Sequence, residues 1–225
     1  MTKKVQNQEE VFVAETVSKA EKFFENNGKK VLAGLVAVLV VVAAVFFFKS
    51  NSDKNELAAL EAIYGAQEYL KGETANYELA LNGDGVNAGF LDVIEQYGST
   101  KAGNIANHCA GICYLHLGDL ENAEKYLKAY DAVEDSTWAE IIDAQNLGLL
   151  GDIAVEKGNY AEAAELFEEA AEISENGYTA PYYLYKKALV HAALNETAEA
   201  QECYKTISEK YPNSVEAREA IKMLF

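Results

Sequence analysis

The chain has 225 residues and a mass of 24.6 kDa, with 19 Lys and Arg against 36 Asp and Glu, a formal charge of −17. So acidic a chain lacks the clustered Lys and Arg that hold a phosphate backbone, which excludes nucleic acid as a partner. Half of the residues are hydrophobic, which excludes a disordered acidic tail; two Pro point to helix, and three Cys are too few for a disulfide framework.

Residues 1–28 read as a cytoplasmic leader. Within residues 9–25, Val13, Val17, Ala20 and Phe24 recur at helical spacing with Glu and Lys between them. That spacing predicts a short amphipathic helix. It fits a helix lying on the inner leaflet or packed on a membrane partner, and it fits a solvated leader helix as well. Asn26, Asn27 and Gly28 are expected to break this helix from the next element.

Residues 31–48 run for 18 residues without a charge or a strong polar group. At 1.5 Å per residue they reach about 27 Å, close to the ~30 Å hydrocarbon core of a bilayer. Lys29 and Lys30 at one end and Lys49 at the other fit ends held at the headgroups. A transmembrane segment over residues 29–49 follows. The apolar run is longer than the core of a cleaved signal peptide, and Lys49, Ser50, Asn51 and Ser52 follow it instead of an A-x-A site. No Cys lies near its end, so a lipoprotein is excluded and a retained signal anchor is expected. Lys19, Lys22, Lys29 and Lys30 precede the span, against Lys49 and Lys54 after it. The excess places the N-terminus in the cytoplasm and the C-terminal domain outside.

The charge divides at the span. Residues 1–30 hold six Lys and five Glu, a net of +1, whereas residues 49–225 hold 13 Lys and Arg and 31 Asp and Glu, a net of −18. The acidity belongs to the C-terminal domain, keeps it soluble, and favours basic or apolar partners.

That domain repeats itself. Gly111 stands seven before Gly118, and Gly151 seven before Gly158; Ala123 and Ala163 stand five after the second glycine of each pair, and Leu127 and Phe167 follow. A third copy carries Ala188, Asn195, Ala200, Tyr204, Ile207 and Pro212. The pattern resembles the tetratricopeptide repeat, a helix–turn–helix of about 34 residues. Small residues let the two helices of a repeat approach, large ones fill the space between repeats, and Gly or Asn ends the first helix in a left-handed turn. The extra residues between copies fall in loops at 131–137 and 175–179. Residues 104–213 read as three repeats. Residues 50–103 read as a divergent first helix pair, with helical runs at 56–71 and 89–97 separated by a loop at 72–85. Residues 214–225 read as a capping helix with Val215, Ile221 and Leu224 inward. The fold class is therefore all-α, one N-terminal transmembrane helix followed by a helical solenoid.

One span joined to a short acidic repeat domain, with segments 89–97, 110–115 and 150–152, resembles the YfgM family of ancillary subunits of the bacterial Sec translocon. The resemblance implies an inner-membrane anchor, a periplasmic repeat domain, contact with a SecYEG-type translocon, and traffic with periplasmic chaperones or emerging secretory clients. The alternative of a different class is a scaffold for envelope assembly or division.

Catalysis finds no support in the motifs. The chain has no Gly-rich phosphate loop, no Ser nucleophile elbow and no metalloprotease pair. Cys109, Cys113 and His116, with His108 beside them, form one helix stripe that could supply zinc ligands, but His191 lies two repeats away and small buried Cys is a common core filler. No metal or cofactor is expected, nor a Cys109–Cys113 disulfide. Glu162, Glu165, Glu168, Glu169 and Glu172 read as a solvated helix face rather than paired catalytic carboxylates.

Solenoids of this type bind along the face made by the first helix of each pair. The register places Ile105, His108, Ile112 and Leu115 there from one repeat. The next contributes Gln145, Gly148, Asp152 and Val155, and the third Tyr182, Tyr185 and Leu189. These make an apolar and aromatic groove, with only Lys186 approximating the basic slots of a clamp for acidic peptides. The same side chains could instead pack against the neighbouring repeat.

Overall fold

The computed structural model describes residues 2–72, 75–133, 137–173 and 176–224. The chain divides into two compact units, Met1–Lys54 and Asn55–Phe225. Helix α1 (Thr2–Glu68) supplies the first unit and the opening of the second. It is continuous through Asn26, Asn27 and Gly28, so the expected break there is absent. Asn and Gly cost a helix up to about 1 kcal/mol each against Ala, too little to interrupt one supported by strong formers on both sides. The helix contains a stretch long and apolar enough to cross a membrane. Val38, Leu39, Val41, Val42 and Phe46 are exposed on it, as a lipid-facing surface would be. The side chains of Val13, Val17, Ala20 and Phe24, and those of residues 31–35, lie outside the described residues, as do parts of both long loops.

In the second unit, α1 is followed by α2 (Tyr77–Asn82), α3 (Phe90–Tyr97) and α4 (Lys101–His116). Helix α2 lies inside the stretch expected to be loop. Asn76 caps it, accepting from the Leu79 N–H at 3.0 Å, and Ala80 and Leu81 are buried. Six residues are too few to show a helical period, which is why the sequence reads as loop there. Ala59, Ile63 and Ala66 of α1 join Leu81, Phe90, Val93, Ala102 and Ala106 in one core cluster. The Glu56 carboxylate reaches the start of α4 and accepts from the Lys101 and Ala102 N–H groups at 2.8 and 3.0 Å. Thr100 Oγ1 takes the Gly103 N–H at 2.9 Å. With the Thr100 N–H bonded to the Tyr97 carbonyl at 2.9 Å, all four donors at that terminus are satisfied, two of them by a residue from another helix.

Three helix pairs follow in register: α4 with α5 (Leu120–Lys128), α6 (Thr137–Glu156) with α7 (Tyr160–Ile173), and α8 (Thr179–Ala193) with α9 (Thr197–Lys210). The three intra-pair turns share one geometry. Gly118, Gly158 and Asn195 have φ of 78°, 77° and 63°. The next residue's N–H bonds back to Tyr114, Ala154 and His191 carbonyls at 2.9, 2.8 and 2.9 Å. This is a left-handed helix stop, made three times. Gly111 and Gly151 admit their partners. A Cβ on Gly111 would stand 2.5 Å from Leu127 Cγ, and one on Gly151 would stand 2.6 Å from Phe167 Cε1.

Helix α10 (Val215–Met223) closes the chain over α8 and α9. The inward face is Ala217 and Ala220, with Leu224 partly covered. Val215 is 69% exposed and Ile221 is also exposed, which corrects their inward assignment. Small residues face in because α10 lies close against α9, and the larger aliphatics are pushed outward.

Candidate partner-binding groove

Two clefts open beside α6 and α8. One, of about 580 Å³, is lined by Ile141 and Gln145 of α6, by Tyr178, Tyr182 and Tyr183 at the start of α8, and by Val215 and Glu216 of α10. The other, of about 220 Å³, is lined by Asp152, Val155, Lys186 and Leu189 among others. Lys186 Nζ bonds both Asp152 carboxylate oxygens, at 2.7 and 2.6 Å, and stands 5.0 Å from the Tyr182 ring centroid. This pair ties α6 to α8 and neutralises the one lysine of the groove.

Of the residues expected in the groove, Gln145 and Tyr182 share the larger cleft, and Asp152, Val155 and Leu189 share the smaller. Gly148 is buried beneath Tyr183, whose ring occupies the space a Cβ would take. Burial pushes the Tyr183 hydroxyl well above its ordinary range. Ile105, Ile112, Leu115 and Tyr185 are half-buried and line neither cleft. Ile105 packs on the first core cluster, Leu115 on the cluster of Ala123, Leu127 and Ile153, and Tyr185 against Tyr204 with ring centroids 5.8 Å apart.

His108 is not a groove residue: it is 4% exposed. Its Nδ1 lies 2.9 Å from Asn146 Oδ1, and Asn146 Nδ2 donates to the Leu127 carbonyl at 2.9 Å. With the amide so oriented, Nδ1 of the imidazole carries the proton and donates. Desolvation holds this histidine below its ordinary pKa, against the opposing hydrogen bond to Asn146. Nearby, the Tyr130 hydroxyl donates to Asp143 Oδ1 at 2.6 Å. A polar seam therefore seals the joint between the first and second repeats, and the second repeat covers His108.

Tyr178, Ile141, Val215 and Glu216 were missed by sequence reasoning. Tyr178, 82% exposed, precedes α8 in a loop, where the repeat register assigns no face. Glu216 belongs to a helix read only as a cap. The one available signal was the i, i+4 spacing of Tyr178 and Tyr182.

The Cys and His stripe does not converge. Burial pushes the Cys109 thiol up to about 11 and the Cys113 thiol up to about 12. His116 stacks on Tyr77 with centroids 4.2 Å apart. Glu162, Glu165, Glu168, Glu169 and Glu172 are all exposed along α7, opposite buried Ala163, Phe167 and Ala170.

Residues 154–224 match the model of the tetratricopeptide repeat family. No curated protein matches the chain. The matched stretch runs from the end of α6 through the whole of α10. With the turn geometry made three times, it defines a tetratricopeptide-type helical region, the class of fold that serves protein–protein interaction.

Proposed function

We propose that the protein is a membrane-tethered interaction module that binds its partner through the inner-face groove. Its partner class is the translocon of the SecYEG type, periplasmic chaperones, or emerging secretory clients. The observation that carries the reading is the larger cleft: three tyrosines and two aliphatic side chains gather around an open space, with Tyr178 82% and Tyr182 43% exposed. Open aromatic surface of this kind suits the anchor residues of an extended or helical segment. The apolar stretch of α1 supports a bacterial inner-membrane anchor, with residues 1–28 cytoplasmic and the repeat domain periplasmic. Tethering raises the concentration of the groove near membrane partners without any catalytic step.

The test is a photo-crosslinking amino acid at Tyr182, in the full-length protein in its native membrane. Adducts with a translocon subunit or a periplasmic chaperone, lost when Tyr178 is changed to Ala, are the expected result. Adducts confined to outer-membrane assembly or division proteins would replace this reading with the scaffold alternative. Unchanged adducts in the Tyr178→Ala protein would remove the groove from the account.

A further inference from the structure

The groove carries an unused charge. Lys186 is held by Asp152 and already stands by the Tyr182 ring, so Glu216 is the one charged side chain among those lining the larger cleft. Glu216 is half-buried and makes no ion pair with any described residue. It shares the cleft with Tyr178 and Tyr182. A carboxylate beside exposed aromatic faces is the chemistry that recognises an alkylammonium or guanidinium group, by ion pairing and by attraction to the ring quadrupole. The neighbouring cleft shows this arrangement filled from within: Lys186 Nζ sits between the Asp152 carboxylate and the rings of Tyr182 and Phe167, 5.0 and 5.4 Å from their centroids.

We propose that Glu216, Tyr178 and Tyr182 form a subsite for a Lys or Arg side chain of an extended protein segment, placed beside an apolar anchor. The inference rests on the reading of the groove as the partner site and adds the chemistry of the partner. The net charge of −18 over residues 49–225 acts in the same direction, drawing cationic segments toward the domain. An acidic segment would meet Glu216 unpaired and be rejected.

The test uses the full-length protein in nanodiscs of zwitterionic lipid, at about 150 mM salt so that distant charges are screened. Fluorescein-labelled peptide GSLFKFLSG and its counterparts with Gln or Glu for the central Lys are titrated by anisotropy. The Lys peptide is expected to bind about five- to tenfold more tightly than the Gln peptide, and the Glu peptide most weakly. In Glu216→Gln the Lys preference should fall to within about twofold, with the Gln peptide unaffected, whereas Glu172→Gln on the outer face of α7 should keep it. A preference that survives Glu216→Gln overturns the subsite and assigns the attraction to the acidic surface at large. Peptides that bind without charge preference, and weaken together in Tyr182→Ala, overturn the subsite while leaving the groove. Failure of every peptide to bind the wild type overturns both.

Discussion

Gly151 and Phe167 give the sharpest test of how the repeats are held together. A methyl group at Gly151 would lie 2.6, 2.9 and 3.0 Å from Cε1, Cδ1 and Cζ of Phe167. Carbon atoms prefer about 3.5–4.0 Å, so the ring would have to move by about 1 Å. Phe167 is 1% exposed, with Ala163, Ala170 and Tyr183 in the same cluster, and the ring can shift only toward the smaller cleft, which it also lines beneath Lys186. Overpacking of this kind costs about 1–3 kcal/mol, set against a gain of about 1 kcal/mol from replacing Gly by Ala in a helix. The expected net loss for Gly151→Ala is about 1 kcal/mol, or about 2–4 °C in Tm for a domain of this size. Gly65→Ala is the control. It also lies in a helix, its nearest neighbour would be Asn87 Cβ at 3.8 Å, and it should stabilise. Phe167→Leu alone should cost about 1 kcal/mol, and the double mutant should be less destabilised than the two singles summed by at least about 1 kcal/mol. Urea and thermal unfolding of the full-length protein in detergent, followed by circular dichroism, measure all four. If Gly151→Ala stabilises as much as Gly65→Ala, or the double mutant is additive, the close-approach account of this helix pair is wrong.

Three further outcomes are expected. His108 is held below its ordinary value of 6.5 in the folded protein. Below that pH the unfolded chain binds a proton that the native state refuses. Stability should therefore be complete above pH 6.5 and fall as the pH drops, and the fall should be shallower in His108→Gln, as read from denaturant midpoints across pH 5–8. Replacing Glu56 with Ala frees the Lys101 and Ala102 N–H groups and should cost about 1 kcal/mol, with faster hydrogen exchange in the first turn of α4. At the third turn, Asn195→Gly should be neutral or slightly stabilising, while Asn195→Val should lose about 1–2 kcal/mol, because φ there is 63°. Equal thermal midpoints for the two Asn195 variants would refute the left-handed reading.

Much of the helical scaffold could be read from residue types alone. Gly118, Gly158 and Asn195 mark the turns because a left-handed residue favours Gly and Asn locally, whatever surrounds it. Gly111, Gly151, Leu127 and Phe167 were legible as packing positions, but the sequence put the large residues between repeats, whereas each fills the gap beside the glycine of its own pair. The cleft was less legible. His108, Ile105 and Leu115 stand on the inward register, yet the neighbouring helices cover them. Tyr178 and Glu216 lie outside any repeat register and still line the cleft.

By itself, the sequence determined the apolar stretch long enough to cross a bilayer, the all-helical character, the turn positions and the segregation of negative charge to the C-terminal domain. These follow from local periodicity, backbone preference and composition. The structure alone decided that α1 runs unbroken through Asn26–Gly28, that Glu56 caps α4, that His108 is sealed by the second repeat, and that Glu216 lines one cleft with Tyr178 and Tyr182. The last three depend on how one element lies against another distant in sequence, and the first on the summed helix preference of a long run of residues. The angle and spacing between helix pairs are set by the sum of many small packing contacts, which no single residue type encodes.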